Sequence, residues 1–339
     1  MNASLRLQRL AARAALALPE RVLGVAATPT VVDGQRLDPQ LAVGLAWGRR
    51  FGPRLHELPP VEARRALDAT FAVFNAAPVT MAHVHDELAP GPGGPIPVRI
   101  YVPRGHRGGL LVWFHGGGGV VGSIAASDAF VRDLAERAGC AVASVEYRLA
   151  PEHPHPAAID DALAVWPWAV AGARRWGCDP ARVGVGGDSF GGFLAAWVER
   201  RARATGRPRP RRVVLVYPLL DLTHTGASYA LFADGFGLSL DLIHWFRRHY
   251  APDPASWRPA SPLWLEDVRA VAPTLLIGAG FDALRDEGRA WAARITAGGG
   301  EVDVRAHDDL IHGFIDMTGV CRAARAAVDD LAADLARTL

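Results

Sequence analysis

From about residue 80 onward, short runs of β-branched and aromatic residues alternate with segments of helical periodicity. Seven apolar runs are typical of strands: PVRIYV, LLVWFH, AVASVEY, RVGVGGD, RVVLVYP, PTLLIGA and EVDVRA. Helical patterns separate them, near 127–138, 157–175, 189–203, 285–297 and 320–338. Segments of this length can cross over between parallel strands, so the pattern predicts an α/β sheet covered by helices.

Two further parts of the chain show helical periodicity without a strand pattern, namely residues 1 to about 75 and roughly 225–250. We expect these two parts to meet as a helical cap. The Gly- and Pro-rich stretch 87–97 predicts a hairpin turn into the sheet rather than a linker. The predicted organisation is N-terminal cap helices at 1–75, a core at 76–218 and 263–339, and a cap insertion at 219–262.

Charge and cysteine content narrow the chemistry. The 37 basic residues are all arginine and are opposed by 35 acidic residues, which gives a net charge of +2. The absence of lysine excludes a lysine Schiff base, a Walker A loop and a protein kinase. The three cysteines are widely spaced, which predicts neither a disulfide framework nor a thiolate metal site. We therefore predict a protein without a bound metal in a reducing compartment, the cytoplasm.

Basic segments need separate interpretation. Arginines at 6, 9, 13 and 21 interrupt the apolar N-terminus, which favours an amphipathic helix with Leu5, Leu7, Leu10 and Leu16 facing the protein over a transit or signal peptide. No run reaches about 18 apolar residues, so no membrane span is expected. Seven arginines lie in 199–212, but prolines mark a surface loop there and no aromatic residues interleave. Nucleic-acid binding is therefore not expected.

The strongest chemical signal is Gly187-Asp188-Ser189-Phe190-Gly191, between a predicted strand and a predicted helix. A serine on such a sharp turn stands above the sheet, and glycines two positions before and after it avoid a clash. This motif also occurs by chance in Gly-rich chains, but the flanking elements favour the functional interpretation. Ser189 is the candidate nucleophile, and we expect Asp188 to support the reacting groups without touching the substrate.

A nucleophilic serine needs a base and an orienting carboxylate, which in this architecture follow in the order Ser, Asp or Glu, His. Asp282 comes just after the strand PTLLIGAG, and His312 lies beyond the last strand in DDLIHGF. Both positions suit loops at the carboxyl edge of the sheet. Four acidic residues are weaker candidates for the carboxylate: Asp286 and Glu287 suit a helix start, and Asp308 and Asp309 are close to His312 in sequence. His307 and His249 are the weaker candidates for the base.

Backbone N–H donors for a developing oxyanion are predicted in the Gly-rich run that begins at His115 and ends at Gly119. Consecutive glycines let the amides turn inward, and the amide of Phe190 adds a donor at the start of the next helix. A phosphate loop is the alternative, but its G-x-G-x-x-G spacing and lysine are missing. We expect His115 to be a structural hydrogen-bonding residue rather than a base.

Five motifs together carry a family resemblance: HGGG at 115–118, YRLAPEHPHPAAIDD at 147–161, GDSFGG at 187–192, FDALRDE at 281–287 and LIHGF at 310–314. From about residue 80 to its end, the chain resembles the hormone-sensitive-lipase-like bacterial carboxylesterases. The resemblance implies an α/β-hydrolase fold with about eight strands, a helical cap and no cofactor. It implies that Ser189, Asp282 and His312 form a catalytic triad. It also implies that the amides of Gly117, Gly118 and Phe190 form the oxyanion hole. It also implies that Arg148 and Glu152 brace the loops of the site.

The chain departs from the family pattern beside the oxyanion hole. The family usually has Ala after the serine and an aromatic residue after HGGG, where this chain has Phe190 and Gly119; Ala283 replaces a usual Pro. We expect Gly119 and Phe190 to border the substrate pocket. We also expect the Phe190 ring to occupy the volume that the usual aromatic residue fills.

The predicted function is that of a serine carboxylesterase acting on small-molecule esters with short to medium acyl chains. The alternatives are an amidase or deacetylase with the same triad and, from a different class, a non-catalytic small-ligand receptor on the same fold. The presence of His312 disfavours the receptor. The sequence leaves the oligomeric state open, with a homodimer as one option.

Overall fold

A mostly parallel sheet forms the centre of the protein. The computed structural model describes residues 29–339 together with Ala14 and Leu16. Within this part of the chain the main sheet has eight strands, which confirms the predicted α/β architecture. The strands are β3 (His83–Ala89), β4 (Ile96–Val102), β5 (Leu110–Phe114), β6 (Ala141–Val145), β7 (Val183–Asp188), β8 (Val213–Val216), β9 (Thr274–Phe281) and β10 (Val302–Ile311).

The strand order is β10-β9-β8-β7-β5-β6-β4-β3. The strands from β10 to β6 run parallel, whereas β4 and β3 pair antiparallel at one edge as the predicted hairpin. The central strand β5 is buried throughout: Val112 and Phe114 pack into the core on one face, and Leu111 and Trp113 into the core on the other. Burial on both faces explains its uninterrupted apolar sequence.

Helices cover both faces, and the five predicted crossover helices lie within a few residues of their expected positions. In chain order the helices are α1 (Pro39–Phe51), α2 (Pro60–Phe74), α3 (Ile124–Ala138), α4 (Ala157–Gly172), α5 (Phe190–Thr205), α6 (Ser228–Leu231), α7 (Leu240–Tyr250), α8 (Trp257–Ala260), α9 (Arg285–Ala297) and α10 (Arg322–Thr338). Short 3-10 turns lie at Leu55–Glu57, Ala173–Trp176, Pro180–Arg182, Pro254–Ser256, Pro262–Trp264 and Phe314–Met317. No helix in residues 29–339 combines the length and the apolar character needed to cross a bilayer.

A small hairpin corrects the prediction that residues 1–75 contain no strand. Strands β1 (Val31–Val32) and β2 (Gln35–Arg36) pair antiparallel around Asp33 and Gly34. Both turn residues have positive φ, 54° and 74°, as a two-residue type I′ turn requires. Strands of two residues are too short to show a period, but the Asp-Gly dipeptide is a recognised hairpin signal.

The two predicted parts of the cap touch each other in the folded chain. Arg49, at the end of α1, donates a hydrogen bond of 3.0 Å to the carbonyl of Gly235 in the insertion. The 3-10 turn Leu55–Glu57 contacts α7. The predicted N-terminal amphipathic helix lies outside the described residues except for Leu16, which is buried and whose carbonyl accepts a hydrogen bond from Gln40.

Candidate active site

Ser189 occupies a tight turn between β7, which ends at Asp188, and α5, which begins at Phe190. Its φ of 53° and ψ of −116° are rare for a residue with a side chain, and such backbone strain persists only where its surroundings enforce it. The Ser189 amide donates to the carbonyl of Val216 at 2.9 Å, and its carbonyl accepts from the amide of Leu219 at 3.0 Å. These two hydrogen bonds fix the serine backbone to the last residue of β8 and to the loop that follows it.

The structure brings His312 and Asp282 to this serine. The Nε2 atom of His312 lies 3.0 Å from Ser189 Oγ, and its Nδ1 atom lies 2.8 Å from Asp282 Oδ2. Asp282 directly follows β9, and His312 directly follows β10, so both come from the carboxyl edge of the parallel strands. The Asp282 carboxylate is 1% exposed, and its second oxygen accepts from the amide of Leu284 at 2.9 Å. The three side chains thus form one hydrogen-bonded chain.

The weaker carboxylate candidates lie elsewhere. Asp286 accepts a hydrogen bond from the Ser228 amide, and Glu287 is buried against the Leu220 amide and the Tyr229 hydroxyl. The side chain of Asp308 accepts from Gln35. Among the described residues, the only hydrogen-bonding partner of His312 Nδ1 is Asp282. The other two histidines pack elsewhere, His307 against Phe314 and His249 against Trp245.

The Gly-rich loop after β5 leaves several backbone amides without a protein acceptor among the described residues. Gly117, Gly118 and Gly119 all have positive φ, between 60° and 115°. The carbonyl of Gly117 accepts from the amides of Val120 and Val121, both at 3.0 Å. Within the described part of the chain, the amides of Gly117, Gly118 and Phe190 donate no hydrogen bond to protein. These amides are therefore able to donate to a bound anion.

Asp188 links this loop to the nucleophile turn. Its Oδ1 atom accepts a hydrogen bond of 3.0 Å from the amide of Gly116. Burial raises the pKa of Asp188 to about 7, against the opposing effect of nearby His312. The Asp188 carboxyl group thus contacts the backbone of the Gly-rich loop, and its supporting role stays a prediction.

His115 has the structural surroundings that the sequence suggests. Its ring stacks on Tyr147 with a centroid distance of 4.4 Å, and its Nδ1 lies 2.7 Å from the carbonyl of Gly116. The Tyr147 hydroxyl donates to the His115 carbonyl at 2.7 Å. Burial lowers the pKa of His115, so the imidazole is neutral.

Arg148 and Glu152 brace the neighbouring loop through different partners. Arg148 forms a two-pronged pair with Asp161, which is fully buried, at 2.8 and 2.9 Å. This pair raises the pKa of Arg148. Glu152 pairs with Arg64 of α2, with Nη2–Oε2 and Nη1–Oε1 distances of 2.6 and 3.0 Å.

Arg64 is a supporting residue that the sequence analysis missed. Besides Glu152, its guanidinium donates to the carbonyl of Val120, in the oxyanion loop, and to that of Ala150, both at 2.8 Å. It therefore ties an N-terminal helix to two loops of the site. No sequence signal separates it from the other arginines, because its partners lie 56 or more residues away.

The ring of Phe190 points into the core, which corrects the expectation that it lines the pocket. It is fully buried and packs on Phe193, Tyr250 and Tyr147 at centroid distances of 5.1, 4.6 and 5.9 Å. A Cβ atom added to Gly119 would lie 2.8 Å from Phe190 Cζ and equally close to Tyr250 Cδ2. Positions 119 and 190 therefore share one volume, and the cap residue Tyr250 shares it too.

The described residues contain no cluster of three or more His, Cys, Asp or Glu side chains that is able to hold a metal ion. The polar groups gathered at the site are instead a serine, an imidazole, a carboxylate and a set of backbone amides. This set provides a nucleophile, a base and anion donors, which is the equipment for acyl transfer.

Comparison with known proteins adds independent findings. A family model described as an α/β-hydrolase fold matches residues 111–316. The carboxylic ester hydrolase LipN of Mycobacterium tuberculosis is 40% identical over 327 residues, covering 92% of this chain and 85% of that protein. The ethyl acetate hydrolase of Pseudomonas putida is 34% identical over 301 residues, covering 85% and 95%. The crystal structure of a hyperthermophilic esterase from Pyrobaculum calidifontis has a TM-score of 0.83 at 33% identity, covering 89% and 98%.

Proposed function

This chain belongs to the hormone-sensitive-lipase-like carboxylesterases of the α/β-hydrolase family, and we propose that Ser189, His312 and Asp282 are its catalytic triad. The observation that carries the proposal is the continuous hydrogen-bonded chain, 3.0 Å from Ser189 Oγ to His312 and 2.8 Å from His312 to Asp282. An unassisted serine hydroxyl is a weak nucleophile, and this arrangement supplies the base that it needs.

In the proposed reaction, His312 Nε2 accepts the Ser189 Oγ proton as the oxygen attacks the ester carbonyl. Asp282 holds the imidazole so that Nδ1–H points at the carboxylate and Nε2 is free to accept, and it stabilises the imidazolium that forms. The carbonyl oxygen becomes an oxyanion, and the amides of Gly117, Gly118 and Phe190 donate to it. His312 then protonates the leaving alcohol. In the second half of the reaction, His312 accepts a proton from the water that attacks the acyl-enzyme, and it returns this proton to Ser189 Oγ as the acid leaves.

The proposed substrates are esters with short to medium acyl chains. The Pseudomonas putida relative is named for the hydrolysis of ethyl acetate, a small ester, which supports the lower end of this range. An apolar ring, that of Phe246 on α7, lies against Gly118 and limits the room beside the proposed oxyanion hole.

We also propose that residues 29–75 and 219–262 act together as the cap of this site. Three contacts support a shared role: Arg49 bonds the insertion, Arg64 bonds two loops of the site, and α7 packs on the oxyanion loop. An apolar cover over such a site limits the bulk water around the reacting groups, which strengthens the electrostatic interactions there.

The direct test replaces Ser189 with alanine and measures hydrolysis of p-nitrophenyl acetate. We expect kcat to fall by at least about 10³-fold with an unchanged melting temperature, because the nucleophile is lost and no packing is removed. Normal turnover by this variant contradicts the triad. A parallel assay with p-nitroacetanilide, the corresponding amide, separates ester from amide hydrolysis.

Asp282→Asn tests the orienting role and has a matched control in Asp286→Asn. Loss of the carboxylate leaves the imidazole without its tautomeric partner, so kcat should fall by about 10⁴-fold if this triad behaves like the well-studied ones. Asp286 bonds the Ser228 amide, so its replacement should leave kcat within about a factor of three. The reverse pattern of effects means that the orienting carboxylate has been assigned to the wrong residue.

A further inference from the structure

Helix α7 lies on the oxyanion loop through two aromatic side chains one helical turn apart. The ring of Phe246 lies directly against Gly118, where an added Cβ atom would overlap it. The ring of Tyr250 lies against Gly119, at 2.8 Å from the position of an added Cβ. Residues four apart share one face of a helix, so both rings press on the same loop. The cap thus supplies aromatic bulk at the place where Gly119 provides none.

The two rings differ in how firmly they are held. Tyr250 is 1% exposed, packs against Phe190 at 4.6 Å, and its hydroxyl lies 3.3 Å from His155 Nδ1. Phe246 is only partly buried, and its ring meets Trp245 edge-on at 5.4 Å. Tyr250 is therefore part of the core, whereas Phe246 contacts Gly118 and keeps part of its side chain exposed.

We propose that Phe246 is the specificity-determining residue that restricts the acyl group of the ester; this inference rests on the proposed function. In a tetrahedral intermediate the oxyanion points at the amides of Gly117 and Gly118, and the leaving oxygen must point at His312 Nε2. The alcohol portion of the ester therefore lies on the side of His312. The acyl chain is the remaining substituent, and we place it beside the Phe246 ring, which lies against Gly118, one of the proposed oxyanion donors.

The Phe246 ring would limit the length of the acyl chain and would offer an apolar surface to a short one. A methylene of the acyl chain that finds room against apolar side chains contributes about fourfold to binding. One that meets the Phe246 ring contributes nothing or forces the ring aside. Short apolar acyl groups thus gain contact with the ring, and longer ones are penalised.

The experiment compares Phe246→Ala with the wild type on p-nitrophenyl esters from acetate to decanoate. We expect the ratio of kcat/KM for decanoate to that for acetate to rise by at least about tenfold, since more than one methylene gains room. Phe246→Leu keeps apolar bulk on the helix and should give a smaller shift in the same direction. It provides the measurement if the alanine variant does not fold.

Two controls make the result specific. Phe236→Ala removes a partly buried cap ring that packs on Phe232 and Phe281 rather than on the oxyanion loop, and it should leave the ratio unchanged. A series of acetate esters with growing alcohol groups should respond equally to wild type and Phe246→Ala. An unchanged acyl ratio, a shift confined to the alcohol series, or an equal shift in Phe236→Ala overturns the inference.

The outcome is separable from that of the proposed function. An inactive Ser189→Ala protein together with an unchanged acyl ratio in Phe246→Ala rejects the role of Phe246 and leaves the triad intact. Hydrolysis by Ser189→Ala rejects the triad whatever Phe246 does.

Discussion

Replacing Gly119 with alanine should destabilise the protein by about 2–5 kcal/mol through two separable effects. The first is backbone strain, because φ is +72° at this glycine and an L-residue in that region costs about 1–2 kcal/mol. The second is overpacking, because the new Cβ atom would lie 2.8 Å from both Phe190 Cζ and Tyr250 Cδ2, and crowding in a packed core costs about 1–3 kcal/mol.

Gly34→Ala is a control for the strain alone. Gly34 has nearly the same φ, +74°, but nothing lies within 4 Å of an added Cβ atom. This variant should therefore lose only about 1–2 kcal/mol. Urea denaturation followed by tryptophan fluorescence measures both losses, and their difference gives the overpacking cost at position 119.

A double-mutant cycle with Phe190→Leu tests whether the two positions share space. Since two rings contribute to the clash equally, removing the distal atoms of one should relieve roughly half of it, or about 1 kcal/mol. The double variant should be more stable than the sum of the single losses by that amount. Losses that add to within about 0.3 kcal/mol would refute the shared volume.

Two further predictions concern the supports of the site. Arg64→Ala should lower kcat by roughly tenfold with less effect on KM, because the loop at Val120 loses its hydrogen bond to the guanidinium. Arg65 lies on the same helix and is exposed, so Arg65→Ala should have no effect on either constant. Equal kinetic constants for the two variants would contradict this. Burial raises the pKa of Asp188 to about 7 in the folded protein, so the folded protein keeps this carboxyl group protonated at pH values where the unfolded chain ionises it. The resulting contribution to the free energy of unfolding is complete below about pH 4 and is lost as the pH rises through about 7. The Asp188→Asn side chain cannot ionise. The free energy of unfolding of the wild type, relative to that of this variant, should therefore fall by up to about 4 kcal/mol between pH 4 and 8. Urea denaturation measures both free energies, and an identical pH dependence for the two proteins would rule this out.

The loops that carry the proposed triad are predictable from the sequence because their signals are local. Ser189 sits between glycines, a strand and a helix that are contiguous in the chain, and Asp282 and His312 each follow an apolar strand directly. Hydrophobic runs specify parallel strands, and parallel strands bring their carboxyl ends to one edge. The geometry of these three residues follows from that topology more than from any long-range pairing.

The missed features depend on contacts between distant segments. The direction of the Phe190 ring is set by Tyr147 and Tyr250, and no local pattern reports which side of the turn has space for it. Likewise Phe246 reads as one apolar position of an amphipathic helix, and its place on Gly118 appears only when the cap is folded. Tertiary packing, rather than propensity, decides such positions.

The division of the proposed cap between two remote segments has a consequence for how the protein is made. The N-terminal segment bonds late parts of the chain: Arg49 to Gly235, Asp38 to Asp309, and Phe74 to Gly319. At about 5–20 residues per second, a ribosome needs roughly 10–50 s to synthesise the roughly 190–270 residues that separate these partners. During that time these three bonds cannot form, although the β5–β7 core and the contacts of Arg64 with Val120 and Ala150 already can. The chain therefore reaches its competent form only after residue 319 has been made, and esterase activity would report that synthesis has passed this point.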